Sequence, residues 1–359
     1  MKKYLLLLTF LSIIGNAQIV RKYSNEFLNI GAGARGLAMG GAVISNQNDV
    51  YAPMWNPAGL TEVESDWQGA AMHAEYFESI AKYDYISFAK ALDSKNGVLG
   101  ISIVRLGIDN ILNTTQMIDS EGNIDYDKIT KFSTSDYAGI ISYAFHPGGK
   151  QKLSVGVNAK IVYRNIGKFA NGFGFGFDLG AIYKTDSGYQ LGAMLRDATT
   201  TVNFWTINQK DLSAVVNGEE FNPAPKDKME ITMPKLNMGI SKNFELNRDL
   251  EFLPEAGVNV DFAKTAALIS TDFASITPYL GAELSFQKMI FVRAGVNKFQ
   301  NVTDIEDLKR KVTFQPSAGI GVRYRGLTLD YAITSTGIGG SNYFSNFFSL
   351  KLDMGDFRN

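Results

Sequence analysis

The chain contains no cysteine. Disulfide scaffolding, thiol catalysis and the acylated cysteine of a lipoprotein are therefore excluded, and the fold must stand without covalent staples. Histidine is nearly absent as well, with only His73 and His146. A serine hydrolase needs a histidine base beside a serine and an orienting carboxylate, and neither residue lies in such a setting. No catalytic residue, no metal site and no cofactor are expected. The balance of 35 basic against 36 acidic residues leaves a net charge of −1, which removes the basic excess that nucleic-acid binding requires. Proline is scarce at 9 while aromatics reach 12%, the reverse of a disordered chain. Beyond the N-terminus no stretch approaches the roughly 18 apolar residues of a membrane helix. Any membrane-embedded structure must then be a closed barrel.

What the chain does have begins at its first residues, "MKKYLLLLTFLSIIGNAQ". Two lysines, an apolar run from Tyr4 to Ile14 and the small residues Gly15 and Ala17 form a secretory signal, with cleavage expected after Ala17. Residues 1–17 are read as the signal peptide, 18–65 as an N-terminal hatch or plug, and 66–359 as a barrel. The dominant pattern after residue 65 is strict alternation, the period of a strand with two unlike faces. In 171–184, Phe173, Phe175, Phe177, Leu179, Ala181 and Tyr183 oppose Gly172, Gly174, Gly176, Asp178 and Gly180. The stretches 152–165 and 311–325 repeat this division.

Reading on by the same rule gives about 14 strands, an even number in the range of bacterial outer-membrane barrels. Short connections such as 93–96, 147–151, 185–188 and 287–288 alternate with longer ones at 109–133, 199–231, 264–275 and 300–310. That sorting is expected of a barrel with short periplasmic turns and long outer loops. The connection near Ser79 is short although its parity is that of a long loop, so the outer rim is expected to be low there. The apolar faces must meet lipid, and the Gly, Ser, Asn, Lys, Arg and Asp faces must line a hydrated lumen. A charge run, "DIEDLKRK" at 304–311, reads as a solvated loop end.

The hatch segment contains "IGAGARGLAMGG", residues 30–41. Gly31, Gly33 and Gly36 match G-x-G-x-x-G, but no buried strand precedes them, and Gly40 and Gly41 oppose the helix that a dinucleotide site needs. The small residues are instead expected to let the hatch pack on inner-wall glycines, namely Gly174, Gly176, Gly319 and Gly321. Asn56-Pro57-Ala58-Gly59 reads as a turn, because Asn favours turn initiation and Pro presets φ. Gly31, Gly33, Arg35, Gly36, Asn56, Pro57 and Gly59 are the candidate hatch and lumen residues. The apolar load of 199–231, with Phe204, Trp205 and Phe221, marks a candidate partner-binding loop.

Residues 27–60, through the Gly-Ala-Arg-Gly-x-Ala-Met-Gly-Gly run, Asn48-Asp49 and Trp55-Asn56-Pro57-Ala58-Gly59, resemble the N-terminal region of PorV/PorQ-like proteins. These are a branch of the FadL-type outer-membrane barrels. The resemblance implies a barrel of about 14 strands with an N-terminal hatch, and the reading as a whole is a monomeric, non-enzymatic barrel in the outer membrane, surrounded by lipid and lipopolysaccharide. It implies two different jobs. PorV-like members serve type IX secretion and meet translocon or surface-attachment proteins, whereas FadL-like members conduct hydrophobic small molecules through a lumen that the hatch opens.

Overall fold

The computed structural model describes residues 24–355 except 64, 93–96, 150, 217–218, 222–224, 226–227, 304–308 and 339–340. The signal peptide read at 1–17, the turn at 93–96 and most of the charge run at 304–311 lie outside the described residues. The chain forms a closed antiparallel barrel of 14 strands. In chain order the first six are β1 (Trp67–Tyr76), β2 (Ala81–Ala91), β3 (Val98–Asn113), β4 (Thr130–Phe145), β5 (Leu153–Ile166) and β6 (Ala170–Lys184). The strand β7 is Tyr189–Arg196 continued by Thr201–Ile207, and β8 is Met229–Thr232 continued by Lys235–Lys242. The remainder are β9 (Leu250–Asp261), β10 (Ser275–Phe286), β11 (Ile290–Thr303), β12 (Arg310–Tyr324), β13 (Leu327–Ile338) and β14 (Ser341–Asp353). Closure is made by β1 pairing with β14, in the register Ala71 to Leu350. No helix among the described residues is long and apolar enough to cross a membrane.

Side-chain parity decides which face meets lipid. Phe173, Phe175, Phe177 and Leu179 of β6 are exposed on the outside, with Ile161 of β5, Ile141 of β4 and Ile320 of β12. Ser142, Ser154, Asn158, Lys160 and Asp178 point inward and are buried. The outer positions have the apolar side chains that hydrocarbon demands, and the inner positions hold the polar ones.

The segment 199–231 is not one loop, which corrects the reading from sequence. Phe204 and Trp205 belong to β7, where Thr201–Ile207 pairs with β6 and with Met229–Thr232 of β8. Phe204 faces outward and is exposed, whereas Trp205 turns inward with the Arg164 guanidinium 5.2 Å from its ring centre. Phe221 ends a separate small hairpin, Ala214–Val216 with Glu219–Phe221. The cause is a bulge. Leu195 pairs with Leu179 and Val202 with Phe175, so seven steps along β7 (195 to 202) face four along β6 (179 to 175). Asp197 and Thr200 take positive φ within the bulge, which breaks the alternation that sequence reading depends on. Within the long connection after β3, Ile118 and Ile124 form an isolated antiparallel bridge.

Replacing Phe175 by arginine is expected to lower unfolding stability by about 2–4 kcal/mol if the site lies near the bilayer midplane. Urea unfolding in lipid vesicles measures this, and an unchanged free energy would contradict the outward assignment of that face.

Candidate functional site: the hatch and the lumen

Residues 24–66 enter the barrel and fold as short pieces. A 3-10 turn (Glu26–Asn29) is followed by α1 (Ala34–Ala38), α2 (Ala52–Trp55) and a second 3-10 turn (Pro57–Glu62). None is long enough to be stable by itself in water. The segment holds together because Trp55 sits in a cradle made by its own glycines. A Cβ on Gly31 would lie 2.3 Å from the Trp55 ring and one on Gly36 2.7 Å from it. A Cβ on Gly33 would meet Tyr51 at 2.9 Å. Gly31 and Gly33 also adopt φ of 91° and 85°, a region open to glycine and closed to most L-residues. The indole N–H donates to the Ala32 carbonyl at 2.6 Å. The G-x-G-x-x-G spacing is thus the imprint of an aromatic ring rather than of a pyrophosphate.

The expected wall partners are mostly different residues. Of the four glycines named from sequence, Gly319 meets the hatch, with a Cβ there falling 2.5 Å from Ala38. Gly174 and Gly176 instead make room for Asn203 and Thr201 at the β7 bulge, and Gly321 makes room for Asp330 and Arg293. Close approach to the hatch backbone occurs at Gly156, Gly192, Gly281 and Gly295, and Gly180 lies against the side chains of Asn56 and Pro57. At Gly295 the fit is tightest from both sides, since Gly40 of the hatch also lies against the backbone of Val296.

Polar anchors complete the seal. Asn56 is extended, and its Oδ1 accepts from the Ala58 N–H at 3.2 Å. Its Nδ2 donates to the carbonyls of Ile44, Ala181 and Ala193, which ties the turn to β6 and β7. Pro57 opens the second 3-10 turn, and the tight contact there requires Gly156. Gly59 lies against the Gln47 carbonyl, where a Cβ would stand 2.0 Å away. Arg35 binds Glu283 of β10 at 2.9 Å and Asn46 at 2.8 Å. Glu283 also accepts from Arg293, which reaches Asp330 at 2.6 Å, so the hatch arginine joins a buried chain of alternating charge.

Residues that sequence reading did not single out contribute as much. Glu255 of β9 is 1% exposed and accepts from the Ile44 N–H at 2.7 Å, the Ser45 N–H at 3.1 Å and Asn46 Nδ2 at 2.7 Å. Lys351 of β14 binds Asp49 at 2.8 Å, and Asn158 of β5 donates to the Pro53 carbonyl at 2.8 Å. Arg196 donates to the carbonyls of Leu28 and Met54. Their signal was available as isolated charged or amide residues at lumen-facing parity.

The hatch divides the interior. On the long-loop side a chamber of about 260 Å³ is bounded by Trp55, Leu37, Lys235, Asp261 and Lys298. On the short-turn side a basin of about 500 Å³ is bounded by Asn48, Asp49, Glu251, Arg323 and Lys351. The basin is largely polar and the chamber mixed, but one quadrant of the wall is apolar. The inward faces of β1 to β4 carry Met72, Ala74, Tyr83, Tyr85, Val104 and Ile140, which pack with Leu28, Leu37 and Tyr51 of the hatch. Leu106 and Ile108 extend this apolar track toward the rim. The rim is low there, because β1 and β2 are joined directly through Phe77–Ile80.

The two histidines are held structurally. His73 Nδ1 lies 2.7 Å from Asp84 on the outer wall, and His146 Nδ1 lies 3.1 Å from the Leu153 carbonyl at a short turn. Among the described residues no group of three or more His, Asp or Glu could hold a metal ion.

Burial raises the Asp49 carboxyl, but Lys351 and the Tyr51 N–H outweigh it and hold the group below the ordinary carboxylate range. Its contribution to hatch stability is therefore full above pH ~4 and is lost as the pH falls through the lowered value. Amide exchange at Tyr51 should accelerate on acidification below about pH 4, and Lys351→Met should remove most of that dependence. Substituting Glu255 by alanine leaves the Ile44 and Ser45 N–H groups without their acceptor. We expect the free energy of hatch opening to drop by on the order of 3 kcal/mol, measured by amide exchange at those residues; unchanged protection would contradict the anchoring role of Glu255.

Neither a protein-family model nor a curated protein sequence matches the chain. Solved structures do match. The toluene transporter TodX of Pseudomonas putida superposes with a TM-score of 0.58 at 14% identity, covering 89% of this chain and 96% of that one. The monoaromatic hydrocarbon channel CymD gives a TM-score of 0.58 at 13% identity, covering 90% and 97%. A FadL homologue of Pseudomonas aeruginosa gives 0.52 at 11% identity, covering 90% and 98%. At these identities the likeness is one of fold, and the chain has the fold of the FadL-type barrels.

Proposed function

We propose that the protein is a non-enzymatic outer-membrane channel that passes small hydrophobic molecules, with the segment 18–65 acting as its gate. The observation that carries this reading is the apolar quadrant. A polar lumen would need no continuous track of Leu106, Ile108, Tyr76 and Met72 running from the lowest part of the rim to the hatch. Hydrophobic solutes gain by following such a surface, whereas the more polar basin on the short-turn side offers them little. The fold shared with channels named for toluene and monoaromatic hydrocarbons supports the same reading. Gly31, Gly33, Arg35, Gly36, Asn56, Pro57 and Gly59 are then gate residues, and the hydrophobic ligand is the lumen partner.

The resemblance of residues 27–60 to PorV/PorQ proteins motivates a second reading, an accessory of type IX secretion that meets translocon or surface-attachment proteins. Native pull-down separates the two, since a secretion accessory must bring its partners with it. For the channel reading, Leu106→Asp should cut uptake of an aromatic hydrocarbon into proteoliposomes by roughly tenfold or more, given the cost of bringing an apolar solute past a charge. Uptake equal to the parent protein, in a variant that still folds, would overturn it.

A further inference from the structure

Among the described residues, the outer wall carries a cluster of charged side chains whose chemistry is wrong for plain hydrocarbon. Outward positions elsewhere carry large apolar side chains such as Ile101, Ile103, Ile141 and Phe175. Just beneath the short β1–β2 turn, the outward positions of β1, β2 and β3 carry His73 and Glu75, Lys82 and Asp84, and Arg105 and Asp109. Asp84 lies 2.7 Å from His73 and 3.0 Å from Arg105, and Lys82 lies 3.5 Å from Asp109. All of these side chains are about a third to a half exposed. Charged residues on a lipid-facing wall are costly, so this face must meet something other than acyl chains alone.

Directly below, toward the short turns, lies a trough of about 860 Å³ on the same outer wall, bordered by Ile86, Ile320, Leu329, Phe348 and Leu350. Ala71 forms part of its lining and leaves the depression open, where a larger side chain would fill it. His73 and Asp84 close its upper end. The shape and chemistry are those of a chain-sized apolar furrow with a polar cap of both signs.

We propose that this trough binds one zwitterionic amino-phospholipid. The acyl chain lies over Ala71, the phosphate faces Lys82 and Arg105, and the ammonium faces Glu75 and Asp84. The alternating signs argue for this occupant. An anionic head would place uncompensated charge beside Glu75 and Asp84, and a purely apolar ligand would cover the partly exposed, mutually paired cap without replacing the hydrogen bonds that water gives it.

The test uses the full mature barrel, delipidated in detergent and titrated with phosphatidylethanolamine or phosphatidylglycerol under native mass spectrometry. One retained phosphatidylethanolamine per barrel is expected, with roughly tenfold preference over phosphatidylglycerol, the discrimination of one charge-assisted hydrogen bond. Ala71→Trp should abolish retention, Asp84→Asn should retain lipid but lose the preference, and Ile161→Trp elsewhere on the outer wall should change neither. Heat-modifiability confirms that each variant folds, and Asp84→Asn supplies the test if Ala71→Trp does not. Equal retention of both lipids by the parent, retention unaffected by Ala71→Trp, or a dimeric mass with this face covered by a second copy would each overturn the proposal.

Discussion

The structure depends on one constraint, that no backbone N–H or C=O can face hydrocarbon without a partner. A sheet that must satisfy it has to close, and here closure is the pairing of β1 with β14 from Gln68 with Asp353 to Glu75 with Asn346. Once the wall is closed, successive side chains have only two destinations. One face meets lipid and must be apolar, and the other faces a lumen too wide for side chains alone to fill. The hatch is the response to that second consequence. It fills the lumen with backbone brought close to the wall, which is why inner-wall glycines recur wherever the two meet.

The hatch is held in two different ways. Its interior is fixed by packing, with Trp55 and Tyr51 seated against Gly31, Gly33 and Gly36. Its attachment to the wall is fixed differently, through single side chains such as Glu255, Lys351 and Glu283 that hydrogen-bond hatch groups from separate strands. A segment that is cohesive within itself and pinned at discrete points can shift as a unit without unfolding. Along the apolar quadrant of β1 to β4 the wall holds the hatch through packing together with the neutral hydrogen bonds of Gln68 and Ser87 to the Val50 backbone, next to the track proposed for hydrophobic solutes.

Much of the barrel was legible because its alternation is chemically extreme. The Phe and Gly alternation of β6 admits one reading, and parity carried from it to the neighbouring strands. The reading failed at β7, where the bulge from Asp197 to Thr200 inserts three extra residues (seven steps against four) and reverses the expected phase. Phe204 and Trp205 then looked like an apolar loop, although they are the two faces of one strand. The hatch was legible as a segment that could not fold alone, but its contacts were not. The ring that fills the glycine cradle is about twenty residues further along the chain, and local pattern carries no information about that distance. The anchors Glu255, Glu283 and Lys351 were visible as lone charges at lumen-facing positions, yet nothing in the sequence specified which hatch group each would hold.

Movement of the hatch is the claim on which the channel reading rests, and the absence of native cysteine allows a direct measurement. The Ser45 hydroxyl of the hatch lies 2.7 Å from that of Ser241 on β8, so a Ser45→Cys/Ser241→Cys variant can be locked by oxidation and freed by reduction. Uptake of an aromatic hydrocarbon into proteoliposomes should stop in the oxidised protein and resume on reduction. Equal uptake in both states would contradict a hatch that gates the lumen.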